Sequence, residues 1–277
     1  MTTDSYFWIG SSHKICQDYS LAGATDNGPY AIVSDGCSSS ANSDWGSRYI
    51  SKAAVHSLSS FPDIPDRFEG EVIAEAHAMR KTSTLNQDAL DATLVVATIK
   101  NNMASVACYG DGAFAFVYPT FIELHVISYT SGAPFYLNYI SNKSRLDSYI
   151  TQTNSTNSIE RWIQSILIYP DGVEYQHKQH TPEVPQEPGF MMSKDLGEMI
   201  AVAVMSDGIL SFIAPNDTDT TKTTKDVPVD LIVKDLLDFK NHNGVFVQRR
   251  INGFLKKCAK NGWQNTDDVS MAAISLK

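Results

Sequence analysis

Two runs of the sequence share one form, an apolar stretch followed by Ser, Asp and Gly. Tyr30–Val33 leads into Ser34-Asp35-Gly36, and Ile200–Met205 leads into Ser206-Asp207-Gly208. Further acids stand near both ends of the chain: Asp18 after Cys16-Gln17, and Asp267-Asp268 directly before the closing apolar run. Aspartate has a short stem and is rigidly placed, and hard divalent cations such as Mg²⁺ and Mn²⁺ take carboxylate, carbonyl and water oxygens. The glycine after Asp35 and Asp207 permits either a close backbone approach or a positive φ. Any one Asp-Gly, taken alone, reads as a turn. Repetition at distant points of the chain changes the reading. Two carboxylates about 4 Å apart repel by roughly 4 kcal/mol at an effective dielectric near 20. Four converging acids stay ionised only with cations among them, so convergence implies metal.

Other chemistries find less support. A cysteine-based phosphate loop needs Arg six positions after the nucleophile, and none of Cys16, Cys37, Cys108 or Cys258 has one. Those four cysteines form no C-x-x-C pair and read as reduced thiols in a cytosol. His177-x-x-His180 lies beside a Pro-rich stretch without partnering Cys or Glu, and reads as solvated loop histidines. Gly110-Asp111-Gly112 reads as a hairpin turn, and the Thr-rich run Thr218–Thr224 as a solvated loop, itself open to phosphorylation.

The acids need a frame to hold them. Short apolar runs at 6–9 and 30–33 read as strands. Trp45, Tyr49, Ile50, Ala53, Ala54, Ser57 and Leu58 recur at helical spacing, and a second helix is expected over 67–87. Four runs, 93–99, 103–109, 113–118 and 121–127, read as an antiparallel meander turning at Asn101-Asn102 and Gly110–Gly112. The polar segment 141–158 reads as a loop or flap, and Pro170-Asp171-Gly172 as the turn of a hairpin. Residues 181–188, with three prolines, read as a rigid connection. Two amphipathic helices are expected around Val229–Leu237 and Val247–Cys258, before a closing strand at 271–276. Helices before and after a strand-rich middle predict a layered α+β sandwich. No linker separates regions able to fold alone, so residues 1–277 are expected to form one domain.

Composition sets the outer bounds. A formal charge of −9 argues against a nucleic-acid partner. The first residues show no basic segment followed by an apolar run, and no stretch approaches the roughly 20 apolar residues that span a bilayer. A soluble, cytoplasmic protein without membrane contact is expected.

With these residues in view, the chain resembles the metal-dependent type 2C protein phosphatases, and more closely their bacterial branch. The likeness follows the family's order nearly end to end. His13-Lys14-Ile15-Cys16-Gln17-Asp18 is similar to its opening motif, Tyr30–Gly36 to its Asp-Gly motif and Ser43–Tyr49 to the helix after it. Asp91-Ala92-Thr93-Leu94 resembles its Gly-x-Thr strand start, Tyr109–Gly112 its Gly-Asp-Ser, Met205–Gly208 its Ser-Asp-Gly, and Thr266–Met271 its terminal motif. The resemblance implies a four-layer α-β-β-α sandwich of two antiparallel sheets flanked by helices. It implies two Mn²⁺ or Mg²⁺ ions, with a third in some members. Asp35 would bridge the two metals, the Gly36 carbonyl would ligate one, and Asp207 and Asp267 would bind the other. Asp18 would serve as ligand or as acceptor to metal-bound water, and Asp268 would stand behind the ligands. Asp88, or alternatively Asp91, matches a third metal position. His13 takes the place of a phosphate-binding Arg, but lacks its bidentate fork. Gln17 replaces an acid, and Cys37 stands where many eukaryotic members carry His. The implied activity is hydrolysis of phosphoserine and phosphothreonine in a phosphoprotein, opposing a Ser/Thr kinase. The alternative is a degenerate relative that binds phosphoproteins without turnover.

Overall fold

The structure is a computed structural model, and it describes every residue except 61–63, 65–67, 154–158, 184–188 and 217–223. Among the described residues, fifteen strands and six helices follow in chain order. The strands are β1 (Thr2–Trp8), β2 (Tyr19–Thr25), β3 (Gly28–Ser34), β4 (Leu94–Lys100), β5 (Met103–Tyr109), β6 (Gly112–Val117), β7 (Ile122–Tyr129) and β8 (Ile159–Ile168). They continue with β9 (Val173–Glu183), β10 (Gly189–Asp195), β11 (Ala201–Met205), β12 (Phe212–Pro215), β13 (Thr224–Asp226), β14 (Gln264–Asn265) and β15 (Val269–Ser275). The helices are α1 (Ser43–Ser60), α2 (Phe68–Thr82), α3 (Asn138–Ser141), α4 (Lys143–Thr153), α5 (Val229–Leu236) and α6 (Phe246–Asn261).

Of the two large antiparallel sheets, one runs β1-β15-β11-β6-β7-β8-β9 and the other β10-β5-β4-β3-β2, and β13-β12-β14 form a third, small sheet. Side-chain parity explains the layering, because successive residues of a strand face opposite sides. In β11, Ala201, Ala203 and Met205 pack under α5 and α6, while Val202 and Val204 face the other sheet. In β4, Leu94 and Val96 face α1 and α2, while Val95, Ala97 and Ile99 meet the opposing sheet. Both faces are covered, so these strands read as unbroken apolar runs. The fold is a mixed α+β sandwich, helices outside and two sheets within.

The structure corrects several expectations. The four central strands are not one meander: β5 belongs to the smaller sheet and β6 to the larger, so Gly110–Gly112 crosses between layers. Segment 141–158 is not a loop as far as Thr153, since α4 occupies Lys143–Thr153; residues 154–158 lie outside the described ones. Asn142 caps α4, its side-chain oxygen accepting the Arg145 backbone N–H at 3.2 Å. The expected helix 67–87 stops at Thr82, and Gln87–Leu90 forms a separate 3₁₀ turn. The hairpin at 170–172 is present, pairing Ile168 with Val173. β9 carries the chain from there to Glu183, so 177–180 is strand rather than loop, and 184–188 lies outside the described residues. The Thr-rich run falls almost wholly within the undescribed 217–223. Trp45 is 50% exposed and leaves the buried face of α1 to its neighbours.

One tie closes the chain ends. Asp4 on β1 accepts the backbone N–H groups of Val247 at 2.7 Å and Gln248 at 3.1 Å, capping α6 from some 240 residues away. A carboxylate on two free N–H groups at a helix N-terminus is favourable through both hydrogen bonding and the helix dipole. Asp4→Ala is therefore expected to lower stability by about 1–2 kcal/mol in urea unfolding. Stability equal to the parent would show that the cap contributes nothing.

Candidate active site

The strand registers bring one rim of the sandwich together. Tyr19 pairs with Ser34, which sets Asp18 beside Asp35. Met205 pairs with both Met271 and Ala113, which brings Asp207, the Asp267-Asp268 pair and Asp111 to the same edge. His13, Asp35, Gly36, Asp88, Asp111, Asp207 and Asp267 all line one cavity of about 440 Å³. Asp18 lies beneath it, fully buried.

The Ser of each repeated motif is a lock. Ser206 donates to Asp18 Oδ2 at 2.6 Å and accepts the Ser270 N–H at 2.9 Å. Ser34 donates to the Thr93 carbonyl at 2.6 Å, and the Asp35 N–H reaches Thr93 Oγ1 at 3.0 Å. The Gly of each motif serves close approach. A Cβ on Gly208 would sit 1.8 Å from the Asp268 carbonyl oxygen, and one on Gly36 would sit 2.5 Å from that of Ser43. Neither glycine has a positive φ.

Electrostatics shows how close the acids are. Burial pushes the Asp18 carboxyl up to about 7, against the hydrogen bonds of Asp35, Ser206 and Ser270, and the charge of Asp207 adds to the rise. Burial also raises Asp207 to about 6, helped by the charge of Asp267. Asp35 lies well above the usual carboxylate range, through burial and then the charges of Asp18 and Asp207. Asp111 is raised likewise, by burial and then by Asp207 and Asp267. Asp35 stands within hydrogen-bonding reach of both Asp18 and Asp207, so neighbouring carboxyls share protons when nothing else compensates them.

The residues fit hard divalent cations. Their side-chain donors are carboxylate oxygens, and Asp18 Oδ1 is buried without a hydrogen-bond partner. Among the described residues, no three His, Cys, Asp or Glu side chains form a group able to enclose one ion. Water would therefore complete each coordination shell, as Mg²⁺ prefers.

Behind the acids, Asp268 is 2% exposed and holds the loop that carries His13. Its oxygens accept the Gly10 N–H at 2.7 Å and the Gln17 N–H at 2.6 Å, and His13 Nδ1 lies 3.0 Å away. His13 Nε2 is 3.5 Å from Asp267. Burial lowers the His13 pKa, but the Asp268 hydrogen bond and the charges of Asp268, Asp267 and Asp18 outweigh it, and the net shift is upward. The Gln17 amide donates to Ser43 Oγ at 2.8 Å, so this side chain anchors α1.

Asp88 and Asp91 differ in their surroundings. Asp91 is fully buried and accepts from Ser40, Asn138 and Arg145, while Asp88 lines the cavity. Asp111 lines the cavity, which the turn reading missed; its one signal was the likeness of Tyr109–Gly112 to the Gly-Asp-Ser motif. His180 stands on the other side of the fold's long hairpin, 3.8 Å from Glu160, and the His177 side chain lies outside the described ones.

The sequence matches the protein phosphatase 2C family over residues 10–256. The chain belongs to that family. Its fold is shared with solved bacterial phosphatases. One is a bacterial serine phosphatase, 13% identical with a TM-score of 0.56, the match covering 100% of this chain and 98% of the other. The Staphylococcus aureus serine/threonine phosphatase Stp1 is 14% identical with a TM-score of 0.54, covering 99% and 94%. The S. agalactiae serine/threonine phosphatase is 12% identical with a TM-score of 0.54, covering 100% and 99%. No curated protein matches the sequence. At these identities the structural neighbours speak for the protein phosphatase 2C fold, and residue roles rest on the geometry above. No helix among the described residues is long and apolar enough to cross a membrane.

Proposed function

We propose that residues 1–277 form a single-domain, metal-dependent protein serine/threonine phosphatase. The observation that carries this reading is the gathering of Asp18, Asp35, Asp111, Asp207 and Asp267 at one rim, where burial and mutual repulsion hold four of them protonated above the ordinary range. Such a cluster is unfavourable unless positive charge fills it. Asp35, the Gly36 carbonyl, Asp207 and Asp267 would hold two Mn²⁺ or Mg²⁺ ions, with Asp18 behind them. Asp111 and Asp88 line the same cavity and are the acids available to a third ion. When bound, two such cations make hydroxide available near neutral pH and stabilise charge on phosphoryl oxygens.

The chain's own residues supply the rest. Asp268 and Asp267 orient the His13 imidazole at the cavity wall, where its N–H can donate to a phosphoryl oxygen. Phosphate monoesters hydrolyse extremely slowly unaided, and placed charge is the help such a reaction needs. This reading gives no side chain the role of nucleophile, so it implies no phosphoenzyme. The substrate is a phosphorylated protein, and the enzyme opposes a Ser/Thr kinase in the cytoplasm. The Gln17 side chain is bound to Ser43 and does not line the cavity, so its lack of charge does not argue for a degenerate, non-hydrolysing relative.

Phosphate release from a phosphothreonine peptide, with Mn²⁺ or Mg²⁺ and again in excess chelator, tests the reading. Release that needs the cation is expected. A chain that binds the peptide but never releases phosphate would be the degenerate relative instead. Undiminished release in chelator would sink the metal chemistry.

A further inference from the structure

Arg145 is the one Arg or Lys among the described residues that lines the acid-walled cavity. It projects from the third position of α4, where Asn142 caps its backbone N–H. Its guanidinium is ion-paired with the fully buried Asp91 and lies over the Tyr139 ring, 5.9 Å from its centroid. Asp91 is itself fixed, by Ser40 at 2.9 Å and Asn138 at 2.7 Å. The base of α4 is tied down too, since the Asn142 amide donates to Gln87 Oε1 at 2.6 Å. The side chain remains 36% exposed, and its Nε has no hydrogen-bond partner.

These facts describe a guanidinium held by one edge. Arg presents five N–H donors in a rigid fork that matches phosphate, and it stays charged at any working pH. Asp91 engages one part of that fork and aims it, leaving further donors beside a cavity whose other wall is acidic. Donors left over on a positive fork, beside carboxylates that would hold cations, have one complementary ligand class, a phosphoryl dianion bridging the two. His13, the other cationic candidate at this wall, has Nδ1 turned to Asp268 and offers no fork.

We infer that Arg145 binds the substrate's phosphoryl group, and that Asp91 is the positioning residue that aims it. The inference rests on the phosphatase reading of the same cavity and deepens it: the substrate contact comes from α4, a helix separate from the strands that carry the acids.

Inorganic phosphate titrated into the Mn²⁺-loaded protein is the probe, with Mn²⁺ affinity and melting temperature measured alongside. A hydrogen-bonded charge pair of this kind corresponds to a roughly 10–100-fold effect. Arg145→Ala is expected to weaken phosphate binding and raise KM for a phosphothreonine peptide by that factor, with Mn²⁺ affinity unchanged. Arg145→Lys recovers part of the loss, and Asp91→Asn gives a smaller rise in KM with kcat held. Should Arg145→Ala fail to fold, Arg145→Gln replaces it. Phosphate affinity within twofold of the parent in either folded variant overturns the assignment. Arg145-dependent phosphate binding by a chain that hydrolyses nothing keeps the assignment and sinks the hydrolytic reading instead.

Discussion

In excess chelator at neutral pH, Asp207→Asn is expected to melt several degrees above the parent chain, while losing roughly 10³-fold or more of its cation-supported phosphate release. The two effects share one cause. Asp207 sits among Asp18, Asp35, Asp111 and Asp267, and in the metal-free fold its carboxyl is raised from 3.8 to about 6. Between those values the folded chain holds a proton that the unfolded chain has released. Stability conferred by the protonated form is therefore present at low pH and is lost as pH rises through the folded value. Asn carries no such charge. The variant and parent should melt alike near pH 4, and diverge in the variant's favour as pH approaches neutrality.

Cations reverse the order. Mn²⁺ or Mg²⁺ binds the folded parent and stabilises it by mass action, whereas Asp207→Asn has lost a ligand and gains less. For a domain somewhat above 250 residues, each kcal/mol moves the melting temperature by about 2 °C. Scanning calorimetry at two pH values, with and without cation, separates these arms. A chelated Asp207→Asn chain that melts below the parent at neutral pH would show that the acids are not strained against each other. The catalytic loss follows the size expected when a group facing developing transition-state charge loses its electrostatic support.

What the sequence made readable follows from which signals are local. The strands β4, β6, β11 and β15 are dominated by apolar residues because each is covered on both faces, and that pattern needs no partner to be read. Asp35 and Asp207 stand out because an apolar run followed by Ser-Asp-Gly occurs twice. Asp111 did not stand out, for a physical reason. Gly-Asp-Gly between two apolar runs has the same local form whether the chain turns within one sheet or crosses to the next. Sheet membership is decided by strand pairing across the whole molecule, and Leu94–Tyr109 and Ala113–Met205 pairings have no local signature. The helix α4 was hidden by composition. It buries only Tyr149, so its segment reads as polar, and what holds it is the Asn142 cap and the tie to Gln87. Asn142 followed by Leu146 and Tyr149 at helical spacing was the signal available. β2, with the sequence YSLAGAT, has a small-residue centre of Ala-Gly-Ala and a single β-branched residue, and pairing with β3 overrides that weak propensity.

The role of Asp268 yields the second large effect, and its sign is opposite to that of Asp207. Both are buried aspartates at the same rim, yet their partners differ. Asp207 faces other carboxylates, whereas Asp268 faces donors: the Gly10 and Gln17 N–H groups and the His13 ring. Removing it leaves two backbone N–H groups without an acceptor, one of them buried, and each such orphan costs about 1–3 kcal/mol. Asp268→Ala is therefore expected to lose about 3–5 kcal/mol in urea unfolding, metal present or not. It also frees the loop 10–17, which carries His13 and leads into Asp18, so phosphate release falls by roughly 10²-fold through displaced groups. Asp268→Asn retains one acceptor oxygen and should fall between. Cation dependence distinguishes the two aspartates: added Mn²⁺ erases the stability advantage of Asp207→Asn but does not repair Asp268→Ala. An Asp268→Ala chain as stable as the parent would mean that the two short N–H contacts are not what anchors this loop, and that His13 and Asp18 are held by the acids alone.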